Sequence, residues 1–522
     1  VLFSRLSTKK IIDNRVFAIG SWLLFQLTIG ILAPARSLSV STGESTIAAS
    51  QPAPITLPAI CPSQLPTAIN EIIDRPELRR YRWGIVVQVL GTTNQLYNRD
   101  GDRLFTPASN VKLITTAVAL RHLGAAKRLR TSVYQLPRTG SVDNLLVVGR
   151  GDPTLTIVQL QSIAQQLKQR GERQIGQISF DDGYFRGEQT NSDWEWGDLS
   201  ADYAPAINGL MLNQNALSLR VSPQQVGMPL KYTWGDASLG NWQVENQSMT
   251  TASKEDNSVN AFSSAVPKVI AVFSKPLLRL KGKLFQQAQP VKLDLPVVNP
   301  AESFISAFRQ NLNLAGINVN STRISSGQNI LNLPELAAID SPPISELIKE
   351  ANQKSNNVYA EVLLRSIGRT HPQYYTSNDD TSTLGISLVK QRLTELGVNP
   401  QAYLLRDGSG LSRHNLVAPT AFIQVLSAMA TMPEGQLFRD SLPVAGVSGS
   451  LKNRMKGTLA QGIVRAKTGS MSGIVSLSGY VNSPKYSPLV FSIILDRHDR
   501  STSSMVKIID EITVLLSRLK QC

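Results

Sequence analysis

Hydrophobic and polar positions divide the chain into stretches of different texture. Val16 to Leu32 is a continuous apolar run, preceded by Arg5, Lys9, Lys10 and Arg15 and followed by Ala33-Pro-Ala35. A basic head, an apolar middle and small residues at the exit predict a secretory signal over residues 1–36. The length of the run also suits a membrane anchor. Residues 37–60 are rich in Ser, Thr, Ala and Pro and predict a flexible tether. Trp83–Leu90 is apolar on both faces, as a buried strand is, and Gly91–Asn94 turns the chain into a partner at Gln95–Asn98. Just past Pro107, Val111–Leu120 is apolar enough to predict a buried helix.

From about Arg130 to Pro334 short β-like runs dominate: Leu145–Val148, Gln177–Phe180, Ala216–Val221 and Lys268–Phe273. Turn residues at Gly149–Pro153 and Asp181–Gly183 separate them. The polar stretch from Trp242 to Ser264 reads as a mobile surface loop. Helical periodicity returns at Ile344–Ile367, Gly385–Leu396 and Pro419–Ala430. Strands follow at Ile463–Thr468, Ile474–Val481 and Leu489–Leu495, and an amphipathic helix spans Ser504–Leu519. At 522 residues the chain exceeds one ordinary core. The order predicts an α+β fold: one helix-and-sheet domain, built from residues 61–130 and 336–522, split by a β-rich insert of one or two domains at 131–335.

Composition narrows the function. Hydrophobic residues make up 42% and charged residues 17%, which is globular rather than disordered. A net charge of +15 favours an anionic neighbour such as cell-wall polymer or a membrane surface. A basic module interleaved with aromatics is absent, which argues against nucleic acid. The four histidines and two cysteines form no cluster with ligand spacing, so no metal and no cofactor is expected. Cys61 and Cys522 bracket the exported chain; they pair in an oxidising compartment or stay as two free thiols.

The candidate nucleophile is Ser109, at the start of the buried helix, with Lys112 one turn later on the same face. The spacing alone decides nothing, because Ser-x-x-Lys recurs at Ser7, Ser387, Ser504 and Ser517. Two further triplets change the picture: Ser355-Asn-Asn357 by a helix, and Lys467-Thr-Gly469 on a strand followed by another strand. A Ser-His-Asp hydrolase is excluded by the missing Gly-x-Ser-x-Gly elbow.

Ser-x-x-Lys, Ser-x-Asn and Lys-Thr-Gly, in this order, resemble the acyl-transfer set of penicillin-binding proteins and serine β-lactamases. The long gap from Ser109 to Ser355 rules against a class A β-lactamase. It resembles a low-molecular-mass penicillin-binding D-alanyl-D-alanine carboxypeptidase/endopeptidase of the class C type, with a large insert after the nucleophile helix. Gly149-Arg-Gly-Asp-Pro-Thr-Leu155, Asp407-Gly-Ser-Gly-Leu-Ser-Arg413, Leu442–Gly446 and Leu451–Thr458 are also similar to that family, from about Cys61 onward. Arg150 departs from it, standing where Gly is commoner.

The resemblance implies roles. Ser109 would attack the carbonyl between two D-alanines of a peptidoglycan stem peptide, and β-lactams would acylate it covalently. Lys112 would be the base, Ser355 the proton relay to the leaving amine, and Asn357 the residue orienting Lys112 and the substrate. Lys467 would supply a second positive charge. Backbone N–H groups of Ser109 and Ser470 would form the oxyanion hole, with Thr468, Gly469 and Ser470 binding the terminal carboxylate. A lysine base must fall from about 10.4 to about 7–8, roughly 4 kcal/mol, so a dry site is required. In the insert, Asp198 would receive a diamino-acid ammonium, with Tyr203 and Met471 lining that pocket and Arg413 near. The alternative for Trp194–Tyr203 is a packed interdomain seam with Asp198 as a turn or cap residue. A catalytically idle, penicillin-binding wall sensor with the same fold is the rival to the enzyme.

Overall fold

The computed structural model describes residues 58–522, apart from 140–141, 236–242, 255–267 and 273–276. The expected leader, nearly all of the tether and much of the expected surface loop lie outside the described residues.

One sheet is built from strands near the two ends of the described chain. Its five antiparallel strands run in the order Val464–Met471, Ile474–Val481, Leu489–Asp496, Arg82–Val89, Gln95–Arg99. Strands from the two ends of the chain are thus hydrogen-bonded neighbours, with Arg82 opposite Asp496 and Val89 opposite Leu489. Ile474–Val481 and Leu489–Asp496 are buried along their whole length. That follows from helices covering both faces, which leaves no polar-out alternation. Ile85 and Val87 point into one core with Ile69, Ile512 and Leu516 of the helices Leu65–Ile73 and Thr502–Ser517. Val86, between them, points into the other core with the helices Val111–Leu123 and Pro419–Thr431.

The helix Val111–Leu123 is wrapped on every side, and all residues from Val111 to Leu120 are buried. The single helix expected over Ile344–Ile367 is two, Ile344–Gln353 and Asn357–Gly368. Ser355 breaks it with a left-handed backbone, φ 57°, and the Asn356 side chain caps the second helix by accepting from the Tyr359 N–H at 3.4 Å.

The insert is less purely β than its sequence texture. A five-stranded sheet runs Asn318–Ser325, Gln174–Asp181, Val142–Val148, Arg130–Thr139, Glu335–Asp340. Two of its pairings are parallel and need crossovers. A helix at Ile157–Gln169 carries the chain between two parallel strands, and a second at Pro300–Leu314 precedes another. Phe304 and Phe308 from the latter pack edge-on to Phe180 in the sheet. Two three-stranded sheets complete the insert. The loop expected at Trp242–Ser264 is corrected in its first half: Gln243–Thr251 is a strand, paired in parallel with Leu277–Phe285.

Cys61 and Cys522 form a disulfide with a Cα separation of 5.8 Å, beside a bridge between Ile60 and Leu519. It ties the start of the first helix to the end of the last. Replacing both cysteines with serine is expected to lower the unfolding free energy by about 2–4 kcal/mol, read as a lower denaturant midpoint.

Candidate active site

The nucleophile turn is pinned before any chemistry is considered. Ala108–Asn110 is a 3-10 turn that leads into the helix Val111–Leu123, and Ala108 has φ 48°. Ser476 Oγ donates to the Pro107 carbonyl at 2.7 Å, and Asn110 Nδ2 to Ser478 Oγ at 2.8 Å, so the sheet holds the turn from below. The strand Val464–Met471 passes so close that a Cβ on Gly469 would lie 2.7 Å from the Pro107 carbonyl and 2.2 Å from Ser476 Oγ. Glycine in the third place of Lys-Thr-Gly is therefore a packing requirement.

Ser109 Oγ accepts from Lys112 Nζ at 3.0 Å. The same ammonium donates to Asn357 Oδ1 at 2.6 Å and to the Ser409 carbonyl at 2.6 Å. Lys467 Nζ donates to Ser355 Oγ at 2.8 Å and to the Thr468 carbonyl at 2.7 Å. Both lysines are fully buried. Burial lowers Lys112 to about 7, against the smaller opposing pull of Asp407 and Glu361. Lys467 lies well below its ordinary value, first through burial and then through the charge of Lys112.

Ser109, Ser355, Asn357, Asp198, Tyr203, Arg413, Ser470 and Met471 line one cleft of about 450 Å³. Lys112 and Lys467 sit beneath it, reaching its wall through Ser109, Asn357 and Ser355. Gly469 is spent on the close approach, and Thr468 Oγ1 shares a hydrogen bond with Ser450 Oγ at 2.8 Å. The Ala466 N–H bonds to Pro443 on the free edge of the sheet. By the two-residue repeat of a strand, the Ser470 N–H faces that same edge.

The insert closes the cleft. Asn357 Nδ2 donates to the Tyr203 carbonyl at 2.9 Å. Asp198 accepts from the Tyr203 hydroxyl at 2.9 Å and from the Glu195 N–H at 3.2 Å, while Arg413 pairs with Glu195 at 2.7 Å. Trp194 does pack a seam: it is buried and donates to Asp407 at 3.0 Å. Asp198 and Tyr203 combine local turn bonding with a place in the cleft wall.

Sequence reasoning missed what holds Lys112 from behind. Glu361, buried, accepts the Gly408 and Ser409 N–H groups at 3.0 and 2.8 Å. Asp407 accepts from the N–H groups of Gly410 and Ser412, both at 2.7 Å. These two carboxylates fold the 407–412 loop so that the Ser409 carbonyl meets the lysine. Burial, then Asp407, raises Glu361 to about 7. The signal available was a glutamate inside an otherwise apolar helical run, four residues after Asn357. Glu361→Leu would strand two buried amides and is expected to cost about 2–4 kcal/mol, measured by denaturant unfolding.

A serine held against a partly neutral, desolvated amine, facing a polar cleft, is equipped for acyl transfer. The sequence profile described as the D-Ala-D-Ala carboxypeptidase 3 (S13) family matches residues 65–519. The chain belongs to this family. A D-alanyl-D-alanine carboxypeptidase of Actinomadura sp. (strain R39) is 34% identical over 453 residues, covering 84% of this chain and 81% of that one. A penicillin-sensitive carboxypeptidase A of Dictyostelium discoideum is 28% identical, covering 84% and 87% of the two chains. Among solved structures, penicillin binding protein 4 of Haemophilus influenzae matches with a TM-score of 0.72 at 24% identity, over 86% of this chain and 99% of its own. That structure shares the mixed helix-and-sheet fold described above.

Proposed function

We propose that this S13 member is a serine D-alanyl-D-alanine carboxypeptidase, also suited to cross-link cleavage, that acts on peptidoglycan stem peptides. The observation that carries the reading is the contact of Lys112 Nζ with both Ser109 Oγ and Asn357 Oδ1. Neutral Lys112 takes the Ser109 proton as Oγ adds to the penultimate D-Ala carbonyl. The N–H groups of Ser109 and Ser470 hold the oxyanion. As the C–N bond breaks, the proton taken by Lys112 passes by way of Ser355, which Lys467 holds at 2.8 Å, to the departing D-alanine, and Lys112 is neutral again. Lys112 then takes a proton from water as the water oxygen adds to the ester carbonyl, and returns it to Ser109 Oγ as the ester C–O bond breaks. Thr468 and Ser470 bind the terminal carboxylate, and Asp198, Tyr203, Met471 and Arg413 contact the side chain of the stem peptide.

In this reading the protein is exported to the periplasm or cell exterior, with residues 61–130 and 336–522 as the catalytic domain and 131–335 as the insert. Its net charge of +15 suits anionic wall polymer or a membrane surface. Among the described residues no helix is long and apolar enough to cross a membrane.

The test is release of free D-alanine from a peptide ending in D-Ala-D-Ala, alongside fluorescent penicillin labelling mapped to a peptide by mass spectrometry. Release with the label on Ser109 supports the enzyme; a label without release would instead describe a sensor. Glu361→Gln keeps an oxygen toward the two amides but removes a charge that raises Lys112. Its rising pH limb is expected to move to lower pH, checked by kcat/KM against pH.

A further inference from the structure

A second cleft, of about 560 Å³, is lined by Arg150, Tyr184, Ile330, Leu331, Arg369 and Tyr375. None of these residues lines the cleft around Ser109. Arg369 caps the far end of the helix that begins at Asn357, so about 18 Å of helix axis separates the two places at 1.5 Å per residue.

Neither guanidinium is in contact with an acid, though the charge of Arg150 is felt by Glu335, which is itself paired with Arg130. Among the described residues neither Arg150 nor Arg369 has a carboxylate within 4.0 Å. Asp181, the one acid in the wall, is occupied by the N–H groups of Gly183, Gly327 and Gln328 at 2.8, 3.0 and 2.9 Å. Arg150 is fixed by bonds to the Arg130 carbonyl, Ser132 Oγ and the Tyr134 hydroxyl at 2.7, 2.9 and 3.1 Å. Arg369 lies over the rings of Tyr184, Tyr374 and Tyr375 at 5.2, 4.1 and 4.9 Å. Rings cover its faces, its Nη2 donates to the Tyr375 hydroxyl at 2.6 Å and its buried Nε has no hydrogen-bond partner, so the rest of its N–H edge is what remains for a ligand. That edge is how guanidinium takes a carboxylate. Leu331 and Tyr375, 76% and 78% exposed, leave apolar surface beside the cations.

We propose that this cleft binds a carboxylate of the wall polymer away from the scissile bond, borne by a stem peptide or by a sugar. The proposal rests on the function given above. Arg150 and Arg369 supply the two cations.

The experiment compares hydrolysis of a short D-Ala-D-Ala peptide with that of purified polymeric peptidoglycan, using Arg150→Gly and Tyr375→Ala. Polymer hydrolysis is expected to fall roughly five- to tenfold in Arg150→Gly, and in the same direction in Tyr375→Ala, with short-peptide kcat/KM unchanged. N-acetylmuramic acid and L-Ala-D-Glu serve as competitors. Inhibition of polymer hydrolysis by either, lost in the variants, supports the site and identifies the sugar or the peptide as the source. Equal changes on both substrates, no change on the polymer in either variant, or no competition by either compound would overturn it and leave a packed seam. If the native protein releases no D-alanine from the short peptide, the functional reading fails by itself. Co-sedimentation of Ser109→Ala protein with polymer, with and without Arg150→Gly, then still decides the cleft.

Discussion

Replacing Ser109 with alanine is expected to cut D-alanine release by on the order of 10⁶-fold and to abolish covalent penicillin labelling. The size follows from the site acting as a unit. Without Oγ there is no ester, and Lys112, Ser355 and Lys467 have nothing to activate. The fold should survive, because Lys112 keeps its bonds to Asn357 and to the Ser409 carbonyl. An unchanged unfolding midpoint beside lost turnover is the expected pair of results. Turnover within tenfold of the native protein would remove Ser109 from the chemistry.

Lys112→Arg separates charge from basicity. Arginine stays protonated at any working pH, so it preserves a cation but cannot accept the serine proton. The rate of acylation by a β-lactam is expected to fall by about 10²–10⁴-fold, the usual contribution of a general base. The native enzyme should show a rising limb centred on about 7, where burial leaves Lys112. The base works when neutral, so the rate climbs with pH and flattens above that point. One unit below it, about a tenth of the plateau rate is expected. The arginine variant should lack this limb. If it kept most of the native rate, Lys112 would be an electrostatic residue rather than a base.

Much of the fold was legible because its signals are local. The strand Ile474–Val481 was read to the residue, since a run of apolar and small side chains between turns has one simple interpretation. The helices Ile157–Gln169 and Pro300–Leu314 escaped because many of their positions are polar. Their core-facing Leu160, Ile163 and Leu167 stand out only once the sheet beneath is known. The break at Ser355 also escaped: the apolar spacing runs through it, while the left-handed turn answers to tertiary contacts such as Lys467. In the site, the three triplets could be read as text. Glu361 could not, because its partners are backbone amides of a loop distant in the chain.

The pairing of Arg82–Val89 with Leu489–Asp496 bears on biosynthesis. A nascent chain threading outward displays its nucleophile segment long before the strands that must buttress it have been translated. Until the last segment arrives, the emerging polypeptide has an unmated edge and no competent pocket, so it is born inert and in need of protection from self-association.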